Sequence, residues 1–238
     1  PLNYEIVGHM PEKDLCLLRV RSPKPFASIA LGRSHDLMTG EPILCAGNPG
    51  GRGIVYSSGI VSSPNFILTA PNALVMRYFS ADVRDRYVQF DAASNQGNSG
   101  GPLINALGEQ VAVVSNKSQD EENINFAIPI DRVRENLDEL FAPEVRKGFS
   151  TGLIIASLAN NAEVAQVIKG SPAAKLDLRP EDLILRVDGK PINQQLDWLA
   201  TLLGHKAGDE LKLTVSRDKK KRQVILKLSA RRDQNVID

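Results

Sequence analysis

The chain has 238 residues, of which 42% are apolar and 24% charged, and its formal net charge is +1. That length permits one large domain or two modest ones, and the composition excludes a natively disordered chain. The balanced charge gives no reason to expect nucleic acid or an anionic membrane as the main partner, and no apolar run reaches the ~20 residues of a membrane span.

Pro1 is not followed by a charged-then-apolar leader, so a targeting signal is expected to be absent or already removed. Short β-favouring runs then recur at residues 4–7, 15–20, 42–46, 53–57, 87–90 and 110–114 between clusters of Gly, Pro, Asn and Ser. Strands at this spacing suggest a sandwich or barrel. The two cysteines, Cys16 and Cys45, are too few for a disulfide framework and wrongly spaced for a metal site. They read as small buried side chains. Ile130, Val133, Leu137, Leu140 and Phe141 predict a helix with Asp131 as N-cap, ending by Ala142 because Pro143 follows. This helix closes a first domain spanning residues 1–143.

A second domain is predicted over residues 147–232. Strands at 152–156 and 163–168 flank an Asn160-Asn161 turn, and Ser171 caps a short helix with Pro172 at its first position. A strand at 183–187 runs into the Asp188-Gly189 turn, a helix at 194–203 stops at Gly204, and strands follow at 210–215 and 223–228. The basic run 217–222 between those strands reads as a solvated hairpin tip, since no aromatic residues are interleaved with it.

Gly97-Asn98-Ser99-Gly100-Gly101-Pro102-Leu103 carries the most chemistry. It fits the G-x-S-x-G elbow of α/β-hydrolases, but that elbow must open a helix, and here Gly100, Gly101 and Pro102 lead into a strand. What remains is a Gly-rich loop presenting a serine between strands. A serine hydroxyl needs a base to become nucleophilic, and small neighbours let the N–H groups of Gly97 and Ser99 converge on an oxyanion.

This loop resembles the nucleophile loop of chymotrypsin-like serine proteases in the form found in the HtrA/Deg family. Asp14-Leu15-Cys16-Leu17-Leu18-Arg19-Val20 resembles the segment around that family's triad aspartate. Ala46-Gly47-Asn48-Pro49-Gly50 with Ser58-Gly59-Ile60-Val61-Ser62 resembles the start of its second barrel, and Phe126-Ala127-Ile128-Pro129 the strand before its closing helix. Gly170-Ser171-Pro172-Ala173-Ala174, the stretch 176–184, Val187-Asp188-Gly189-Lys190 and Gly208-Asp209 resemble a bacterial PDZ domain. The resemblance implies a mainly β fold: a chymotrypsin-like double β-barrel, its first barrel incomplete, followed by an α+β PDZ domain.

The same resemblance makes Ser99 the nucleophile, Asp14 the residue that orients the base, and Gly97 and Ser99 the oxyanion donors. The family's base precedes its aspartate. His9 is the only histidine upstream of Asp14 and sits too near it on one strand-turn segment, His35 lies in a polar loop and His205 in the other domain. All three read as surface residues. The catalytic histidine is therefore expected outside this chain, lost with an N-terminal part of a longer protein. The alternative is a pseudoprotease kept as a peptide-binding scaffold.

Trypsin-like enzymes that cleave after Arg or Lys carry an aspartate where this chain has Ala93, so the resemblance implies a pocket for an apolar residue. Val113, Val114 and Ile124 are its implied walls, and Asn125 is expected to narrow it. Asn98 replaces the aspartate that captures a new N-terminus in digestive proteases, which implies control by loop ordering. The candidate loops are residues 64–86 and 115–123, the latter with Asp120, Glu121 and Glu122.

In the PDZ-like half, Trp198 and Leu202 suit a core while Leu196, Leu199 and Leu203 form a second apolar stripe. That stripe either faces a peptide added as an extra strand or packs against the protease domain. Gly148, Phe149 and Gly152 belong to the candidate loop for a peptide's terminal carboxylate. The implied partners are unfolded polypeptides and hydrophobic C-terminal peptides, with oligomers, often trimers, in the family. No cofactor or metal is implied, and the family places the protein in the periplasm or otherwise outside the cytosol.

Overall fold

The computed structural model describes residues 2–67, 86–117 and 123–231. Contacts divide the chain into two units, Pro1–Arg134 and Glu135–Asp238. The candidate control loops fall largely outside the described residues: 68–85 of the first, and 118–122 of the second with Asp120, Glu121 and Glu122.

In the first unit, β1 (Tyr4–Met10) and β2 (Leu15–Val20) form an antiparallel hairpin in which His9 pairs with Cys16. A 3-10 turn, Pro11–Lys13, joins them, and Asp14 ends it in the left-handed region at φ 53° with its N–H on Pro11 O. The period-two apolar runs that follow become β3 (Pro42–Gly47), β4 (Val55–Ile67), β5 (Arg86–Phe90), β6 (Pro102–Asn105), β7 (Gln110–Lys117) and β8 (Asn125–Pro129). Among the described residues they close a barrel in the order β3-β4-β5-β8-β7-β6. Val61, Phe90, Leu103 and Val111 are wholly buried in its core, with Cys45 beside them. Cys16, by contrast, is exposed. Burial pushes the Cys45 thiol above its ordinary value, against the smaller opposing effect of hydrogen bonds with Ser57 and Asn98.

The helix expected up to Ala142 is broken. It forms as α1 (Ile130–Glu135) and α2 (Leu137–Phe141), followed by α3 (Pro143–Lys147). Ile130 is buried and belongs to the first unit, whereas Leu137, Leu140 and Phe141 are buried and belong to the second. One apolar stripe thus serves two cores, and the helix breaks at Asn136 between them. Ala142 at φ 37° ends α2 and redirects the chain into α3.

Asp131 is not the N-cap. It lies inside the first turn of α1, where its N–H donates to Ser34 Oγ at 3.1 Å. Its Oδ2 accepts from the N–H of Ser34 and of His35 at 3.1 and 2.9 Å, and from His35 Nδ1 at 2.8 Å. Burial alone would raise the Asp131 carboxyl, but the His35 ring and these amides outweigh it and hold the group below its usual range. Its stabilising effect is therefore complete above the unfolded value near ~3.9 and is lost as pH falls through the lower folded value. Asp131→Ala should cost about 2 kcal/mol at neutral pH, read from the urea midpoint, because two amides lose a charged acceptor.

The second unit comprises β9 (Phe149–Ser150), β10 (Leu153–Ile155), β11 (Val164–Val167), β12 (Leu183–Val187), β13 (Lys190–Pro191), α4 (Gln195–Leu202), β14 (Glu210–Arg217), β15 (Lys220–Lys227) and β16 (Ser229–Ala230). Its main sheet has the order β13-β12-β14-β15, while β9 pairs with β16 and β10 with β11. Ser171 Oγ accepts from the N–H of Ala174 at 3.2 Å, but the segment forms only a 3-10 turn, Ala174–Leu176, and its N-cap is Ala173, not Ser171. Trp198 and Leu202 are buried as expected; so is Leu199, while Leu196 and Leu203 are half-buried. The helices α2 and α3 pack against α4, and Gln195 Nε2 donates to Asp138 Oδ2 at 2.9 Å.

The basic run is only partly a solvated tip. Asp182 is wholly buried and accepts from Arg217 Nε at 2.6 Å on Oδ1 and from Arg217 Nη2 at 2.8 Å on Oδ2. Arg222 turns back in the same direction, donating to the carbonyls of Leu176 and Asp177.

Candidate active site

The loop between β5 and β6 holds Ser99 exposed above a packed base. Gly97 has φ 108°, a region closed to most side chains, and a Cβ there would lie 2.7 Å from Asn48 O. Glycine is therefore required where the loop passes β3. Asn98 is buried beneath the loop, with Nδ2 3.8 Å from Cys45 Sγ, and its N–H donates to Asn95 O at 3.0 Å. Among the described residues, the N–H groups of Gly97 and Ser99 donate to no protein acceptor.

Asp14 and Ser99 meet through Ser115, the first residue of the candidate loop 115–123. Ser99 Oγ donates to the backbone carbonyl of Ser115 at 2.8 Å, and Ser115 Oγ donates to Asp14 Oδ2 at 2.6 Å. Ser115 lies on β7 immediately after the buried Val114. β7 thus bridges the hairpin carrying Asp14 and the loop carrying Ser99. A serine following an apolar strand has no local signature of this role; only the pairing of distant segments reveals it.

No histidine joins this cluster among the described residues. His9 lies on β1, His35 is bound to Asp131, and His205 belongs to the second unit, near Asp209 at 3.5 Å.

The expected pocket residues divide into two groups. Ala93 is exposed, and its carbonyl accepts from Ser57 Oγ at 2.6 Å. Val113 and Ile124 are half-buried. Val114 points the other way on β7, into the barrel core, so it offers no wall to a substrate. Asn125 is also buried, and its Nδ2 donates to Phe90 O at 3.3 Å and Ala92 O at 3.0 Å. It pins the end of β5 from inside, with no exposed surface of its own to narrow a pocket.

In the second unit, Gly148 ends α3 in the left-handed region with its N–H turned to the helix carbonyls, and Phe149 is wholly buried. The Gly148 N–H is thus spent on its own helix, and the Phe149 ring is part of the core. The candidate amides are then those of Thr151 and Gly152 from the expected loop and, one residue beyond it, of Leu153, where β10 begins. β10 pairs with β11 along one edge and has no strand on the other among the described residues. The half-buried Leu196 and Leu203 are the parts of the α4 stripe left accessible.

Residues 2–113 match the trypsin-like peptidase domain family, and residues 132–228 the PDZ domain family. A probable periplasmic serine endoprotease DegP-like from Pseudomonas putida F1 is 33% identical over 99% of this chain and 50% of that protein. The periplasmic serine endoprotease DegP of Escherichia coli K12 is 31% identical over 98% of this chain and 50% of its own length. The chain thus spans about half the length of these curated relatives. A variant of the HtrA-type protease AlgW solved with a tripeptide is 25% identical, covering 96% of this chain and 77% of its own, with a TM-score of 0.50. No helix among the described residues is long and apolar enough to cross a membrane. With a trypsin-like peptidase domain preceding a PDZ domain, and relatives aligned along nearly its whole length, the chain belongs to the HtrA/Deg family of serine proteases.

Proposed function

We infer that this chain contributes the nucleophile and the substrate-recognition parts of a serine endopeptidase that cleaves unfolded or misfolded polypeptides outside the cytosol. Ser99 attacks the scissile carbonyl and forms an acyl-enzyme, and the N–H groups of Gly97 and Ser99 stabilise the oxyanion. Asp14 orients and charge-stabilises an imidazole base contributed from beyond these 238 residues. The observation that carries this reading is the Ser99–Ser115–Asp14 chain of hydrogen bonds, which brings nucleophile and carboxylate to one place. Ala93, Val113 and Ile124 border the pocket, and with Ala93 in place of an aspartate it suits an apolar side chain before the cleaved bond.

The PDZ domain binds hydrophobic C-terminal peptides as an added strand on the free edge of β10, beside α4, and so recruits substrate or regulates cleavage. The domain assignment under this reading is protease over 1–143 and PDZ over 147–232, although α2, inside the first range, and α3, across the junction, cluster with the second unit. The names of the relatives support a periplasmic setting, and the family supports trimer-based assembly. The second reading, a pseudoprotease scaffold, draws on the lack of an imidazole beside Ser99 among the described residues. Degradation of a permanently unfolded protein by the full-length protein, with Ser99→Ala as control, separates the two. Loss of at least ~10³-fold in rate in the variant is expected for an enzyme. Equal turnover in both proteins, or none in either, would remove Ser99 from the function.

A further inference from the structure

The loop assigned above to a peptide's carboxylate already holds one. Glu144, on α3, accepts at Oε1 from the N–H of Thr151 at 3.0 Å and from the Thr151 hydroxyl. Thr151 is wholly buried, and its Oγ1 in turn accepts from the N–H of Leu153 at 3.1 Å. Thr151 and Leu153 flank Gly152 at the start of β10, where a terminal carboxylate needs converging amides. Two of those three donors are thus engaged from within the unit, one by a carboxylate and one by the hydroxyl that carboxylate fixes.

The other wall of the groove is tied to the same connecting segment, since Gln195 at the start of α4 donates to Asp138 on α2 at 2.9 Å. Glu144 and Asp138 therefore fasten the loop and the helix to α2 and α3. Resting on the PDZ reading above, we propose that Glu144 is a built-in competitor for the peptide carboxylate, so that capture of a free C-terminus requires Glu144 to leave the Thr151 amide. Two negative charges cannot share the same donors at hydrogen-bond distance without a large repulsive cost. The engaged loop disfavours a peptide carboxylate while leaving the apolar contacts to Leu196 and Leu203 and the strand edge intact. Release of α3 would then switch the domain toward free C-termini.

The test uses the whole chain and a fluorescent peptide ending in apolar residues, made as the free acid and as the C-terminal amide, with binding read by anisotropy. Wild type should bind the two forms within about threefold of one another. Glu144→Ala should bind the acid about tenfold more tightly than wild type does, the equivalent of one charge-assisted hydrogen bond regained, with the amide unchanged. Glu144→Gln, which keeps an acceptor for Thr151 but removes the charge, should shift in the same direction by less. Thermal melts check that each variant is folded, and Glu144→Gln decides the matter if Glu144→Ala is not. Wild-type binding with no gain in the acid's affinity on removing the charge would overturn the gate and leave the PDZ reading standing. Failure of either peptide to bind any folded variant would overturn both.

Discussion

Asp182→Ala is expected to destabilise the second unit by about 3 kcal/mol and to lower its thermal transition by more than ~10 °C. Asp182 is wholly buried, while the Arg217 side chain it holds is 28% exposed. The carboxylate takes two bonds from the guanidinium and one from the N–H of Arg179 at 3.0 Å. Its backbone carbonyl also accepts from Val164 at 2.8 Å, so the residue joins the β11 segment to the β14–β15 hairpin. Removing the side chain leaves a partly buried cation short of its main partner. Arg217 keeps Asp177, whose Oδ2 accepts from Nη1 at 3.2 Å, and this places the expected loss at the lower end of the range for broken buried pairs.

The same pair sets a pH dependence. Burial alone would raise the Asp182 carboxyl, but hydrogen bonding to Arg217 and to the Arg179 amide, with the charges of Arg217 and Arg222, holds it below the usual range. Its contribution is present above the unfolded carboxylate value and disappears as pH falls through the folded one. Asp182→Ala should therefore flatten the acid side of the stability profile, followed by denaturant melts at several pH values. A loss under ~1 kcal/mol with an unchanged acid limb would show that the pair contributes little beyond its own desolvation.

Gly101→Ala should cost the first unit more than ~3 kcal/mol, whereas Gly100→Ala should cost about 1 kcal/mol. The two glycines are neighbours beside Ser99 but face different obstacles. A Cβ on Gly101 would stand 2.2 Å from Ala46 O and 2.8 Å from Asn98 O, both backbone atoms of packed segments. Neither can swing aside, so β3 and the loop must separate. Gly100 has open space within 4 Å and only its φ of 82° to resist a side chain. Denaturant midpoints of the two variants give the comparison directly, and equal losses would refute the steric account. Proteolysis by the full-length protein should fall further for Gly101→Ala than folding alone explains, because the displacement occurs two residues from Ser99.

How far the sequence reveals this molecule depends on how local each determinant is. Strands β2 and β12 lie where period-two patterns and turn residues put them, because alternation and turn chemistry act within a few positions. The helix break at Asn136 was hidden, since a continuous apolar stripe does not declare that its two ends enter different cores. Motif context singles out Ser99 and Asp14 as candidates, and the structure links them through Ser115. Ser115 has no such context, because its role comes from three segments converging at positions 14, 99 and 115. Val114 and Asn125 show the same limit from the other direction. Which face each side chain occupies is fixed by β7 and β8 register and by the amide's bonds to Phe90 and Ala92. Glu144, within a short helix assigned no chemistry, gained its interest only from the loop it touches.

The barrel closes between β3 and β6, where Ile43 meets Asn105 and Cys45 meets Leu103 across all the chain between them. Such a pairing is favourable only after the intervening strands are ordered, so it belongs to the late and slow part of folding. β6 begins at Pro102, three residues after Ser99, and the loop carrying Ser99 is anchored on the β6 side by this seam. A nascent or partly unfolded chain accordingly carries the serine without the geometry that would make it reactive. Under the proposed function, the surroundings that Ser99 needs are assembled only as this late pairing forms, so an unfolded copy of the chain is not yet armed.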